Sequence, residues 1–482
     1  MQELNHMKYS LSGFILTFLF VWNLNPVTAQ DSENVFLAGA AKSIITPPLG
    51  TSLNGHFQDR QARNVHDELH ARAMVLDDGN TILGFVVTDL CMVYRETLDH
   101  AKERAREFTG IPVENMMMSA VHTHSAGTAC SVFQSDPDPD YLKFLEIRIA
   151  DALIRAFENR VPARVGWGFG EEASQVHNRR WRLKEGKTFT NPFGGEDQVR
   201  MNPGVNNPDK VEPAGPIDPQ IPVLSVVAES GEPIGILANY SLHYVGGVPN
   251  DEVSADYYGM FNQRMEEMLE VRNQKIPFVS IMSNGTSGDI NNIDFSGKTS
   301  QAKGAYVQMK YVANLLAAEV YKVLENIEYQ DHVTLSSATE EIQLGVRLPE
   351  NSEIVRAEKI VAAAEGPVMK TSEEVYARET LLMQDYPEKI NMLLQAFRIG
   401  DLGIAAIPCE VFVEIGLELK EKSAIRPMFT IELANGYYGY LPTPAHHELG
   451  GYETWRARSS FLEVNASEKI VDTLLKLFEN LK

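Results

Sequence analysis

His122 and His124 stand two residues apart in Ser119-Ala120-Val121-His122-Thr123-His124-Ser125-Ala126-Gly127, where a predicted strand runs out into small residues. Residues i and i+2 of a strand point to one face, so the two imidazoles can converge on one atom. Neutral imidazole is a good zinc ligand. On spacing alone, two ordinary hydrogen-bonded histidines are the commoner outcome. His66-Asp67-Glu68-Leu69-His70 imitates the helical zinc motif H-E-x-x-H, but Asp follows the first His and a strand pattern begins at once. On a strand, i and i+4 lie about 13 Å apart, so this pair is rejected. His243 closes the strand-like run 234–243, just before Gly246-Gly247. Glu410 falls at a strand-to-helix junction, where an acid favoured by the helix dipole is the plain alternative. Residues 284–294 (NGTSGDINNID) form a turn whose N–H groups could bind an anion, an ordinary surface turn being the simpler expectation. Residues 435–443 (NGYYGYLPT) and 451–453 (GYE) gather several phenols in one loop. His446-His447 are set aside, because sequence neighbours seldom bind one metal together.

These side chains need a scaffold, and the hydrophobic periodicity predicts one. Strands are expected at 71–89 (two, around the turn 77–80), 115–121, 222–228, 234–243, 277–283, 331–345, 391–399, 403–407 and 428–433. Helices are expected at 94–108, 143–159, 257–272, 301–325, 352–365, 371–384, 411–423 and 466–481. Residues 186–220, rich in Gly, Pro, Asn and Asp, read as a long functional or mobile loop. Strands alternating with helices indicate the α/β class: a single large catalytic domain with a mixed sheet flanked by helices.

The 482 residues are 44% hydrophobic and 22% charged, ordinary for a globular chain. The formal charge of −22 repels phosphate backbones and anionic lipid, so no nucleic-acid partner is expected. Lys8, the apolar run 9–23 and Val27-Thr28-Ala29 describe a secretory signal over residues 1–29. Residues 30–482 then form the working domain, secreted or periplasmic, with no transmembrane segment after cleavage. Cys91, Cys130 and Cys409 are sparse and contain no CxxC pair, so they read as buried reduced residues rather than a thiolate zinc site.

Taken in order, the blocks resemble the catalytic N-terminal domain of the neutral/alkaline, non-lysosomal ceramidases. Ile44-Ile45-Thr46-Pro47-Pro48 is similar to the family's "DITPP". His66-Asp67 with Ala71-Arg72-Ala73 is similar to "H-D-x-L-x-A-R-A", and Val121 through Ser125 to "HTHS". Asn178-Arg179 fits "N-R-S", and Gly235 through His243 the "G-x-L-x-x-F-x-x-H" strand. Gly288-Asp289 fits "G-D-V-S-P-N", and Pro408-Cys409-Glu410 fits "P-G-E". Asn435 through Thr443 and Tyr452-Glu453 fit the family's tyrosine blocks.

The resemblance implies one Zn²⁺ held by His122, His243, Glu410 and Tyr440. It implies that His124, Arg179 and Tyr452 act on the substrate. The implied activity is that of an exported amidohydrolase using metal-activated water on ceramide or a related N-acyl compound, with a small-molecule or lipid partner.

Two departures bear on substrate. Asn291 stands where the family has an active-site Ser, and Arg180-Trp181 follow Arg179 where it has small residues. The chain also ends inside one last helix after Tyr452, so the family's C-terminal β-sandwich is expected to be lacking. A zinc hydrolase of the same scaffold with a polar glycan or glycoside substrate is the alternative, and a binding protein without catalysis a more distant one.

Overall fold

The computed structural model describes residues 35–482; the expected leader, residues 1–29, lies outside the described residues. Eight strands form the larger sheet: β1 (Leu37–Ile44), β2 (His70–Asp77), β3 (Ile82–Thr88), β4 (Met116–Ala120), β5 (Val161–Glu171), β6 (Gln220–Ala228), β7 (Pro233–Tyr240) and β8 (Val279–Asn284). Their order is β8-β7-β6-β5-β1-β2-β3-β4. The interior of this sheet is antiparallel, while the outermost pairs, β7 with β8 and β3 with β4, are parallel. A second sheet, β9 (Leu335–Gly345), β10 (Lys389–Ile399), β11 (Leu402–Ile407) and β12 (Met428–Glu432), runs in sequence order and ends on a parallel pair, β11 with β12. The α/β class with mixed strands is borne out, in two sheets rather than the one expected. Residues 35–482 form one compact unit.

Alternation along the strands assigns the layers. On β2, Ala71, Ala73 and Val75 pack with helices α1 (Arg95–Thr109) and α2 (Pro139–Glu158). Met74 and Leu76 point the other way, into a core shared with Phe397, Ile399, Ile404 and Phe429 of the second sheet. The far face of that second sheet packs Met392, Leu394 and Ala405 against α7 (Val413–Lys422) and α8 (Ala466–Leu481). Between these in chain order come α3 (Asp256–Met268), α4 (Val307–Leu324), α5 (Asn351–Ala363) and α6 (Ser372–Met383). The result is helix on sheet on sheet on helix. None of the helices among the described residues is long and apolar enough to cross a membrane.

The periodicity finds most elements and misses two strands at the middle of the sheet. β1 (LAGAAKSI) and β5 (VPARVGWGFGE) are interrupted by Gly, Ala and Pro, residues with poor strand propensity. Their small residues exist for the helices above them. A Cβ on Gly39 would lie 2.2 Å from the Ala156 carbonyl oxygen of α2. On β5, one added at Gly166 would lie 2.4 Å from Ile327, and one at Gly168 2.7 Å from Val323. Only glycine lets the last turns of α4 settle onto β5. Helix α2 begins at Pro139 rather than near residue 143. Asp138 caps it by accepting from the Asp140 N–H, and Pro139 occupies the first turn. The expected loop 186–220 holds short ribbons. Phe189–Thr190 pairs with Glu196–Asp197, and Val199–Met201 and Lys210–Pro213 flank Arg180–Leu183.

Candidate metal centre

Parallel strand pairs release their loops at one end, and ligand sites of α/β sheets form beyond such carboxyl ends. His122 follows β4, His243 follows β7 and Glu410 follows β11. These three offer ligand atoms within 4.8 Å of one another, and all three are buried. His122 Nε2 lies 3.1 Å from His243 Nε2 and 3.1 Å from Glu410 Oε2; the His243–Glu410 separation is 4.0 Å.

The hydrogen bonds around the rings decide what these atoms can accept. His122 Nδ1 lies 2.9 Å from the Cys91 carbonyl oxygen, and His243 Nδ1 lies 3.1 Å from that of Ser287. In the neutral rings both contacts place the proton on Nδ1 and leave Nε2 free to bind, the tautomer that metal-binding histidines use. Glu410 Oε1 accepts from the Tyr437 hydroxyl at 2.9 Å, whereas Oε2 is buried without a hydrogen-bond partner. A buried carboxylate oxygen without a hydrogen-bond partner calls for a positive charge beside it, from a bound cation or from His122, whose pKa burial lowers but Glu410 raises, to well above the usual imidazole value. Tetrahedral zinc with bonds near 2.0–2.1 Å sets its ligand atoms about 3.3 Å apart, close to the separations seen. The residues present therefore fit the ion.

His122 reaches this position through backbone strain. β4 ends at Ala120, and His122 has φ 75°, in the left-handed region that non-glycine residues avoid. The expected strand alternation is thus not what brings the two histidines together. The twist at His122 does so, placing His124 Nε2 3.2 Å from His122 Nε2. Strain of this kind costs about 1–3 kcal/mol and concentrates at working sites. The His124 ring stacks on Tyr244 at 3.7 Å with the planes 17° apart, and His56 meets it edge-on. Burial, followed by His122 and His243, pushes His124 well below its ordinary pKa, so it is neutral.

Arg179, Tyr440 and Tyr452 complete the cluster. Tyr440 pairs with Glu410 in a short parallel ribbon. The Arg179 guanidinium donates to the Tyr440 hydroxyl at 3.2 Å, to the Gly288 carbonyl oxygen at 2.7 Å and to Glu453 at 2.9 Å. Burial opposes its charge, but Tyr440 and Glu453 outweigh that and hold it above the usual arginine range. Tyr452 packs its ring 5.8 Å from Tyr440. All seven predicted residues therefore meet in one place. His66 and His70 do not join them: His66 stacks on Tyr306, and His70 begins β2. His446 pairs with Glu414 at 2.8 Å.

The turn 284–292 is buried rather than a surface turn. Several of its N–H groups are already used: Gly288 donates to the Val411 carbonyl oxygen at 2.8 Å and Ser287 to Glu432. A Cβ on Gly288 would lie 2.7 Å from the Glu410 carbonyl oxygen, so this glycine sets the approach of the turn to the ligand loop. Asn291 donates to Asn202 Oδ1 at 2.7 Å and accepts from the Ile293 N–H, so its amide is engaged.

Sequence reasoning missed several supports. Tyr437 stood in the phenol cluster and carried a signal. Glu453 was quoted only as part of a block, yet it binds both Arg179 and Arg180 and is fully buried. Glu432 accepts from the Ser287 hydroxyl at 2.6 Å and the Val411 N–H at 2.7 Å, behind His243 and Glu410. No local pattern marked it. Cys91, read as a small buried residue, does lie buried and unpaired, with its sulfur 3.7 Å from His122 Nδ1.

A layered α/β scaffold whose strand ends present two imidazoles, a carboxylate and a phenol defines a candidate metal-site protein. No protein-family model matches the chain. The sequence is 22% identical over 512 aligned residues to neutral ceramidase of Pseudomonas aeruginosa, spanning 92% of this chain and 72% of that protein. The crystal structure of that bacterium's neutral ceramidase superposes with a TM-score of 0.71 at 19% identity, covering 93% of this chain and 74% of the other. A ceramidase complexed with C2 gives 0.69 at 18%, covering 93% and 75%. The resemblance to the neutral ceramidases read from the motifs is thereby borne out in sequence and in fold.

Proposed function

We propose that the chain is an exported zinc-dependent hydrolase that cleaves the amide bond of ceramide or a related N-acyl compound. The observation that most supports this is the convergence of His122 Nε2, His243 Nε2 and Glu410 Oε2 within 4.8 Å of one another in a buried corner. These three, with Tyr440, would hold one Zn²⁺, which lowers the pKa of a water and polarises a carbonyl when bound. Hydrolysis adds the water oxygen to the acyl carbon and breaks the C–N bond, leaving a carboxylic acid and an amine. Arg179, aimed by Glu453 and the Gly288 carbonyl, brings positive charge to the side where an oxyanion develops. The Tyr452 phenol stands on the same side. His124 is neutral and clamped against Tyr244, so it can hold a hydrogen bond to substrate in a fixed orientation. The similarity to neutral ceramidase supports the amide as the bond attacked.

His122→Ala is expected to lose both zinc, by elemental analysis, and amide turnover on short-chain ceramide. A variant that keeps full activity without metal sinks the reading. Cleavage confined to N-acetyl sugars in a side-by-side assay replaces ceramide with the glycan alternative. Export of residues 30–482 is checked by N-terminal sequencing of the mature protein, which should begin at Gln30.

A further inference from the structure

A cavity of about 200 Å³ opens beside the metal centre and shares Tyr452 with it. Phe57, Phe189, Tyr452 and Trp455 form its aromatic walls, and Arg200 and Asn202 bring polar groups to it. The walls are braced. Phe189 stacks on Trp455 with the planes 12° apart, Trp455 donates from its indole to Asp197 at 2.7 Å, and Phe57 packs 6.1 Å from Tyr452. His56, next to Phe57, touches His124. Asn202 is tied to the centre from the other side: its N–H donates to the Arg179 carbonyl oxygen, and its side-chain oxygen accepts from Asn291. The substituted Asn291 and the segment 186–220 therefore act on the same wall.

Size and charge restrict what fits. An apolar cavity of about 150 Å³ takes one benzene, so this one takes a single ring with a short extension. Two long hydrocarbon chains do not fit in it. Arg200 lies exposed with its guanidinium 4.8 Å from the Phe189 ring centre, and no carboxylate pairs with it among the described residues. With no carboxylate on it, the Arg200 guanidinium at the pocket wall offers a forked donor to an anion.

We propose that this cavity is the specificity pocket of the site, taking a compact N-acyl compound whose ring lies between Phe189 and Tyr452 and whose carboxylate pairs with Arg200. The proposal rests on the reading of the centre as an amide hydrolase and narrows its substrate to a small, anionic member of the N-acyl class.

N-acetylphenylalanine and its neutral amide, N-acetylphenylalaninamide, test it. Binding to the zinc-loaded protein is measured by calorimetry, and turnover by release of acetate. The acid should bind at least ten-fold more tightly than the amide. Arg200→Ala should weaken the acid about ten-fold and leave the amide within two-fold, at unchanged zinc content. Equal binding of acid and amide, or an Arg200→Ala variant that binds the acid as the parent does, overturns the pocket. So does failure of the parent to bind either compound, or preferential turnover of long-chain ceramide. Arg200-dependent binding without hydrolysis of any amide keeps the pocket and removes the hydrolase reading. Amide hydrolysis indifferent to Arg200 does the reverse.

Discussion

His122 and His243 follow strand ends and are braced by backbone carbonyl oxygens, and Glu410 stands on a buried two-residue ribbon braced by the Tyr437 hydroxyl. Phe189, Arg200 and Asn202 stand on ribbons two or three residues long and on the turn after them, half-buried or exposed. The metal corner is buried and hydrogen-bonded through Glu432, Tyr437 and Glu453. The pocket wall is held by ring stacking and a few polar contacts. The first construction fixes ligand atoms to within tenths of an ångström, which metal chemistry needs. The second tolerates exchange of one ring or charge for another, which is where substrate preference can diverge while the centre stays intact.

The contrast is broken most directly at Glu453. Glu453→Gln leaves Arg179 and Arg180 buried without their shared charge partner, and should cost about 3–5 kcal/mol of stability in urea unfolding. A loss below 1 kcal/mol would mean that the corner is no more rigid than the pocket.

A second test uses pH. Burial, then Glu414, pushes the Asp289 carboxyl up to about 8, and burial pushes Glu432 up to about 8. Both folded values lie above the unfolded ones, so the folded chain binds protons that the unfolded chain has released. Stability from these groups is full at low pH and is lost as pH rises through 8. His56 and His447, lowered by burial to about 4 and about 3, act in the opposite sense, but only below their ordinary 6.5. The chelator-treated protein should therefore weaken between pH 6.5 and 8, by up to about 1.4 kcal/mol per pH unit for each carboxyl. Rising stability across that window contradicts the buried, protonated carboxyls.

The smallest expected effect is at Tyr437. Tyr437→Phe removes one hydrogen bond onto Glu410 and should lower zinc affinity about ten-fold in a chelator competition, with no change in the Arg200-dependent discrimination. A shift in that discrimination would show that corner and pocket are not separable.

Much of the centre is legible in the sequence. His122 and His124 carry their spacing, and the residues at 243, 410 and 440 sit in blocks that the ceramidase resemblance marks. Strand and helix positions followed from periodicity because most of these segments bury one regular face. β1 and β5 did not, because their glycines and alanines answer to helices packed from distant parts of the chain. Glu432 was illegible for a similar reason, since its partners Ser287 and Val411 are neighbours only through the joining of two sheets.

Residue type and local pattern thus determined the α/β class and the acidic charge, and the ordered blocks that resemble the ceramidases marked which imidazoles, carboxylate and phenols could serve a metal. The tertiary structure decided that His122 twists into the left-handed region, that three parallel strand pairs release their loops toward one point, and that Asn291 serves the pocket wall. Side-chain chemistry and periodicity are properties of a short stretch of chain. The separation of Nε2 from Oε2, or of a ring from a guanidinium, is set by strand order and layer packing, which no short stretch contains.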